Sequence, residues 1–225
     1  MNLGIIIQAR MLSTRLPGKV LMPIAGRFLL DHVIGRLEML PDALNVVVAT
    51  SNLTEDNPIV LHCESRGVSV FRGSETDVLD RYYSCAQKYG FNHVVRLTAD
   101  NPFTDINELQ RLINYHLVEG YDYTHCMGSL PLGVGSEIFS FSALQRSALE
   151  GSAPNHREHV NEYITENPKS FRIGELNVDE AKRRPELRLT VDNLKDYHRA
   201  CAIAEQARER WLGTEEAIRL CLRFV

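Results

Sequence analysis

Leu3-Gly4-Ile5-Ile6-Ile7 runs directly into Gln8-Ala9-Arg10-Met11-Leu12-Ser13-Thr14-Arg15-Leu16-Pro17-Gly18-Lys19. The first five residues form a short apolar run bounded by polar sequence, the pattern of a strand buried on both faces. Strands of that kind belong to parallel sheets covered by helices on both sides. The next twelve residues read as a loop carrying three cations, two hydroxyls and a Pro-Gly turn. The connection as far as Phe28 is much longer than the few residues that usually join a strand to a helix.

Downstream, Leu30, Val33, Ile34 and Leu37 recur at helical spacing and predict a helix over 28–40. Further strands are expected at 46–49, 68–71, 94–97 and 121–124. Helices are expected at 54–66, 77–89 and 105–119, with Gly67, Gly90 and Gly120 as their stops. This alternation predicts an α/β fold: a three-layer, Rossmann-like, doubly wound and mostly parallel sheet. Beyond Pro131 the rhythm weakens. Strands at 138–141, 171–176 and 187–191 and a helix at 155–166 are expected to extend the same sheet. No linker, repeat or low-complexity segment divides the chain, so 1–225 reads as a single domain.

Composition narrows the partners. Hydrophobic residues make up 44% of the 225, enough for a substantial core. With 25 Lys and Arg against 29 Asp and Glu, the net charge is −4, which argues against general nucleic-acid binding. No apolar run approaches a membrane span, and the start carries no cleavage signal, so a cytoplasmic protein is expected. Cys63, Cys85, Cys126, Cys201 and Cys221 form no CxxC pair and read as reduced, mostly buried thiols.

In open α/β sheets ligands bind beyond the carboxyl ends of the strands, and the loop at 8–19 stands at the first such end. Three cations compressed into ten positions of an acidic protein suit a triphosphate, with arginines as forks and a lysine as a point charge. A solvated surface loop is the plain alternative. The spacing is neither a Walker A loop nor GxGxxG, which disfavours a dinucleotide-dependent dehydrogenase. Asp100 follows the strand at 94–97 and Asp192 the one at 187–191. Each could cap a turn, or the two could hold Mg²⁺, which accepts one or two protein carboxylates. Two carboxylates on one crevice repel each other unless a cation lies between them, so an Asp→Asn change is expected to relieve the empty protein. Arg72-Gly73-Ser74 reads either as a simple turn or as a place where glycine lets main-chain groups approach a base. His156 and His159 are spaced as neighbours on one helix face, a weak zinc signal.

Ile6-Ile7-Gln8-Ala9-Arg10 with Ser13-Thr14-Arg15-Leu16-Pro17-Gly18-Lys19-Val20-Leu21 resembles the signature of the CTP-using sugar-acid cytidylyltransferases. These include the acylneuraminate and 3-deoxy-manno-octulosonate enzymes and the branch named for spore-coat polysaccharide biosynthesis. Phe71-Arg72-Gly73-Ser74, Asp77-Val78-Leu79-Asp80-Arg81-Tyr82, Arg96-Leu97-Thr98-Ala99-Asp100, Arg157-Glu158-His159-Val160 and Arg188-Leu189-Thr190-Val191-Asp192 resemble that spore-coat branch in the same order. The resemblance implies a nucleotide-diphospho-sugar transferase type of fold. It also implies an enzyme that moves CMP from CTP to an anionic, sugar-type acceptor, a 2-keto sugar acid, and releases pyrophosphate, serving surface polysaccharide or glycoconjugate synthesis. By resemblance, Gln8, Ala9, Arg10, Ser13, Arg15, Lys19, Arg72, Gly73, Ser74 and Thr98 contact the nucleotide. Arg10, Arg15, Lys19 and Asp100 are catalytic, and Asp100 and Asp192 bind Mg²⁺. His156, Arg157 and His159 face the acceptor side by the same resemblance, and Glu137, after the glycine-rich turn at 131–135, could hydrogen-bond an acceptor hydroxyl. Ser136 stands where many relatives carry Asp, which leaves the acceptor open. A phosphorylated or phosphonate acceptor, or a non-catalytic nucleotide-binding module, are the other readings. A homodimer is a candidate assembly.

Overall fold

Ile5, Ile6 and Ile7 are fully buried, and the strand they form, β1 (Leu3–Gln8), lies near the middle of the sheet. The computed structural model describes residues 2–41, 44–207 and 210–224. After β1 and its long loop come a hairpin of β2 (Pro23–Ile24) and β3 (Arg27–Phe28), then α1 (Leu29–Arg36). The chain continues through β4 (Asn45–Ser51), α2 (Asn57–Ser65), β5 (Ser69–Gly73), α3 (Val78–Tyr89), β6 (His93–Thr98) and α4 (Ile106–Glu119). Next are β7 (Tyr123–His125), β8 (Glu137–Ser140), α5 (Phe141–Glu150), α6 (Pro154–Glu158), α7 (Glu162–Glu166) and β9 (Ile173–Glu175). The described chain closes with α8 (Leu194–Ala204) and α9 (Thr214–Cys221).

Seven strands form one sheet in the order β5-β4-β1-β6-β8-β7-β9. β1 pairs in parallel with β4 (Ile5 opposite Val46) and with β6 (Ile5 opposite Val95). Successive side chains of these strands enter opposite faces, so each face has its own core. Ile5, Ile7, Val48, Val95 and Leu97 meet α1, α2, α4, α8 and α9 on one side. Ile6, Val47 and Val94 meet α3, α5 and α7 on the other. The expected three-layer, mostly parallel architecture is the one observed.

The second half departs from the sequence expectations in several places. β8 runs antiparallel to both β6 and β7, and the helix α5 that begins at Phe141 is not among the expected elements. The helix expected over 155–166 is broken: His159 ends α6 with extended backbone (φ −115°, ψ 109°), and α7 starts three residues later. Helices α8 and α9 are likewise additions to the expected elements. The segment 187–191 makes one isolated parallel bridge, Arg188 with Leu132, and is not a strand of the sheet. Leu132 N donates to Leu187 O (2.9 Å), and Leu132 O accepts from Leu189 N (2.8 Å) and Thr190 N (3.0 Å). Val191 N then donates to the Asp100 carbonyl (2.9 Å), which brings Asp192 beside the end of β6.

That strap depends on Gly133. Its φ is +92°, and a Cβ there would lie 2.6 Å from both the Cβ and the backbone N of Thr190. Gly133→Ala therefore combines an unfavourable backbone with a clash against main chain, together costing about 2–4 kcal/mol. The expected outcome is a lowered melting temperature together with reduced turnover, since the displaced segment carries Asp192. A variant that melts like the parent in calorimetry would show that the strap does not depend on Gly133.

Candidate active site

The cation-rich loop is folded, not loose. Buried Asp56, just ahead of α2, accepts from Met11 N (2.7 Å), Thr50 Oγ1 (2.8 Å), Ser51 N (3.0 Å) and Ser51 Oγ (2.5 Å). Burial alone would raise the Asp56 pKa, but these donors hold it below the ordinary carboxylate value. Ala9 N donates to Ala49 O (3.1 Å) and Gly18 N to Met11 O (2.8 Å), so the loop leans toward β4 and turns back on itself. Asp56 is not among the residues expected from the sequence. Its only local trace is a Thr-Ser pair at a strand end with an acid five residues on.

Lys19 begins the short 3₁₀ turn Lys19–Leu21 and is 7% exposed. Its Nζ donates to Asp100 Oδ2 (2.7 Å), Asp192 Oδ1 (3.1 Å) and the Val191 carbonyl (2.8 Å). Thr98 Oγ1 holds the other Asp100 oxygen at 2.6 Å, and Arg15 reaches Asp192 Oδ1 at 2.8 Å from an exposed position. Arg188 pairs with Asp192 and also with Asp196, which accepts from Asp192 N (3.1 Å). Burial pushes the Asp192 pKa upward, but Lys19, then Arg15 and Arg188, outweigh it and hold the carboxyl below its ordinary value. The expected repulsion between the two aspartates is thus overturned: an ammonium already lies between them.

Around this trio opens a cleft of about 520 Å³. Gln8, Ala9, Arg10, Ser13, Arg15, Lys19, Thr98, Asp100, His159 and Asp192 line it, so these expected residues converge. Arg10 has no ion-pair partner among the described residues. Thr14, Thr76, Val78, Arg96, Pro154 and Glu158 line it too, beyond the expected set. A smaller cavity of about 200 Å³ adjoins it through Thr98, Asp100 and Asp192, walled by Met127, Leu132 and Gly133.

Six expected contacts fall outside both cavities. Arg72 turns away, its guanidinium donating to Ser51 O (3.0 Å), Leu53 O (2.5 Å) and Asn57 Oδ1 (2.7 Å). Ser74 Oγ accepts from Asp77 N (3.0 Å), which starts α3. Gly73 leaves no open space: a Cβ would meet the Phe71 ring at 3.0 Å and Arg81 Cγ at 3.1 Å, so its small size serves packing. Arg81 itself donates to the Ser74 and Glu75 carbonyls and not to the acids of its own helix. Glu137 is 1% exposed and paired with Arg96 behind the cleft. His156 is turned to Glu166 (2.8 Å), away from His159, and Arg157 donates to Ala148 O (3.0 Å). Four cysteines are buried and Cys201 half-buried; burial pushes the Cys63 and Cys85 thiols up to about 12, as inert thiols require.

Among the described residues no three His, Cys, Asp or Glu side chains converge as a metal cluster. Asp100 and Asp192 still suit a hard divalent ion that keeps most of its waters. Both point a carboxylate oxygen at one cation position, which Lys19 now fills.

The model of the cytidylyltransferase family matches residues 4–218. The chain belongs to the cytidylyltransferase family. It is 39% identical to the spore coat polysaccharide biosynthesis protein SpsF of Bacillus subtilis over 91% of this chain and 87% of that one. A solved cytidylyltransferase from Leptospira borgpetersenii superposes with a TM-score of 0.93 at 30% identity, covering 100% of this chain and 95% of that one. A CMP:2-keto-3-deoxy-manno-octonic acid synthetase solved with CTP shares the fold (TM-score 0.67, 18% identity, 92% and 99% covered). This cytidylyltransferase is therefore a nucleotidyltransferase, and no helix among its described residues is long and apolar enough to cross a membrane.

Because the folded Asp192 pKa is lowered, its stabilising contribution is present above the ordinary value near 3.8 and is lost as the pH falls through the lowered one. Asp192→Asn removes that contribution and should destabilise the empty protein by about 1–3 kcal/mol at neutral pH. Its melting temperature should also fall less than the parent's between pH 5 and acid. Parental stability in the variant, or a steeper acid slope, would show that Lys19 does not hold Asp192.

Proposed function

We propose that this cytidylyltransferase transfers CMP from CTP to a 2-keto sugar acid with release of pyrophosphate, in the making of a surface polysaccharide or glycoconjugate. The observation that carries this reading is the Asp100–Lys19–Asp192 arrangement at the mouth of an arginine-lined cleft, in a chain of this family. The name of its Bacillus relative supports the polysaccharide role. An 8-amino-3,8-dideoxy-manno-octulosonate cytidylyltransferase of Shewanella baltica, 30% identical over 51% of this chain and 47% of that one, supports the class of acceptor.

The reaction is in-line attack by an acceptor oxygen on the α-phosphorus of CTP: one P–O bond forms and the bond to pyrophosphate breaks. Gln8, Ala9, Ser13 and Thr98 position the nucleotide, and Arg10, Arg15 and Lys19 spread the charge that grows on the α-phosphate and the leaving pyrophosphate. Asp100 and Asp192 would hold Mg²⁺, which supplies Lewis-acid stabilisation of the phosphate oxygens when bound. Lys19, which pairs with both aspartates, would be free to turn to the phosphates were those carboxylates to hold the ion. The wall at Thr76 and Val78 stands nearer the cleft than Arg72, Gly73 and Ser74, which shape it from behind.

Pyrophosphate release from each of four nucleoside triphosphates, against a panel of 2-keto sugar acids, sugar phosphates and phosphonates, tests the reading. Release only with CTP and a sugar acid is expected; release with a phosphorylated or phosphonate acceptor instead would overturn the acceptor class. Lys19→Ala should lose roughly 10²-fold or more in turnover. Parental turnover in that variant would remove Lys19 from the phosphate site.

A further inference from the structure

Arg96 belongs to a recognisable sequence block, yet no role follows from the sequence for it. The structure places it on the cleft floor, two residues before Thr98 on the same face of β6. Across the antiparallel ladder its partner is Glu137, and the two side chains form an ion pair. The second Glu137 oxygen accepts from Tyr123 Oη at 2.5 Å, and both Glu137 and Tyr123 are 1% exposed. Beneath, the Arg96 guanidinium lies over the Tyr82 ring at 5.7 Å. Glu137, by charge and hydrogen bond, keeps this arginine charged against the effect of burial.

A buried ion pair seldom stabilises a fold more than apolar side chains of the same size would. This one also leaves hydrogen-bonding capacity unused. Arg96 Nε and, on the adjacent strand, Gln8 Oε1 are buried without partners among the described residues, and both side chains line the cleft. Nε is itself buried, but the Arg96 side chain is 17% exposed and lines the cleft, and a guanidinium fixed by Glu137 and reaching the cleft is a preorganised anion receptor.

Its position separates it from the triphosphate. The start of the loop, at Ala9 and Met11, is tied toward β4, and Lys19 and Arg15 reach Asp100 and Asp192 beyond the end of β6, whereas Arg96 lies four residues before Asp100, within β6, and pairs toward β8. His159 and Pro154 of the α6 region line the same cleft. A second anionic group therefore has its own receptor, apart from the three phosphate cations.

We propose that Arg96 receives the carboxylate of the sugar-acid acceptor and that Glu137, braced by Tyr123, is a positioning residue acting through it. This rests on the 2-keto sugar acid reading above. It also moves Glu137 from contact with the acceptor to support of the residue that makes it.

The test uses the 2-keto sugar acid turned over fastest in the acceptor panel, and its C1 primary amide. The parent, Arg96→Lys, Arg96→Gln and Glu137→Gln are compared, with folding checked by thermal melts. Arg96→Lys keeps the charge and loses the fork. The KM for the acid should rise roughly 30-fold or more in both Arg96 variants, while the KM for the amide hardly changes and the acid-over-amide preference collapses. Glu137→Gln should raise the KM for the acid less, with kcat largely kept. CTP affinity, measured by calorimetry, should stay within about twofold in all of them. An unchanged acid-over-amide preference in folded Arg96 variants, or a loss of CTP affinity, would overturn the assignment while leaving the proposed reaction intact. A parent that turns over no 2-keto sugar acid overturns the reaction and this assignment together.

Discussion

One ammonium ties the working end of the molecule together. Lys19 Nζ joins three parts of the chain that are remote in sequence: the loop after β1, the end of β6 at Asp100, and the strapped segment at Val191 and Asp192. A largely buried lysine is costly to desolvate, and it is tolerated here because two carboxylates and a carbonyl surround it. The same contacts keep two carboxylates together without a metal. On the proposed reading, a divalent cation held by the two aspartates would take the position that Lys19 occupies, and the ammonium would turn to the phosphates.

The scaffold around that point obeys simple constraints. The parallel strands must be apolar on both faces, so their carboxyl ends are where polar side chains can gather. Asp56 fixes the loop from the β4 side and the Leu132 strap fixes Asp192 from the other. Between them the cleft has one wall of cations and one floor in which Arg96 is backed by Glu137 and Tyr123.

What the sequence disclosed, and what it withheld, divides along physical lines. Runs such as Leu3-Gly4-Ile5-Ile6-Ile7 report burial on both faces without reference to the rest of the chain, so the parallel half of the sheet was legible. So was the gathering of the loop cations with Asp100, since residue type and strand-end position carry that signal; Asp192 arrives there on the Leu132 strap and not at the end of a sheet strand. The direction of β8 was not legible, because four residues with Ile138 and Phe139 at their centre do not encode which neighbour they pair with or how. Leu187 to Val191 reads as a strand because apolar and polar residues alternate along it; that its partner is the turn at Leu132 is a tertiary fact. Gly73 read equally as a turn or as room for a base; Arg81 and Phe71 fill the space beside it. Resemblance offered Arg72 as a nucleotide contact, and Glu137 read as an acceptor contact from its place after a glycine-rich turn; neither signal separates a side chain that faces the ligand from one that braces its neighbours.

If Lys19 is the pivot of the site, it must exchange aspartates for phosphates when the nucleotide binds. A crystal structure with Mg²⁺ and a non-hydrolysable CTP analogue measures this directly. The expected result is the metal on Asp100 and Asp192, with Lys19 Nζ withdrawn from both and within hydrogen-bond distance of a phosphate oxygen. An intact Asp100–Lys19–Asp192 bridge, with the metal held elsewhere, would contradict it.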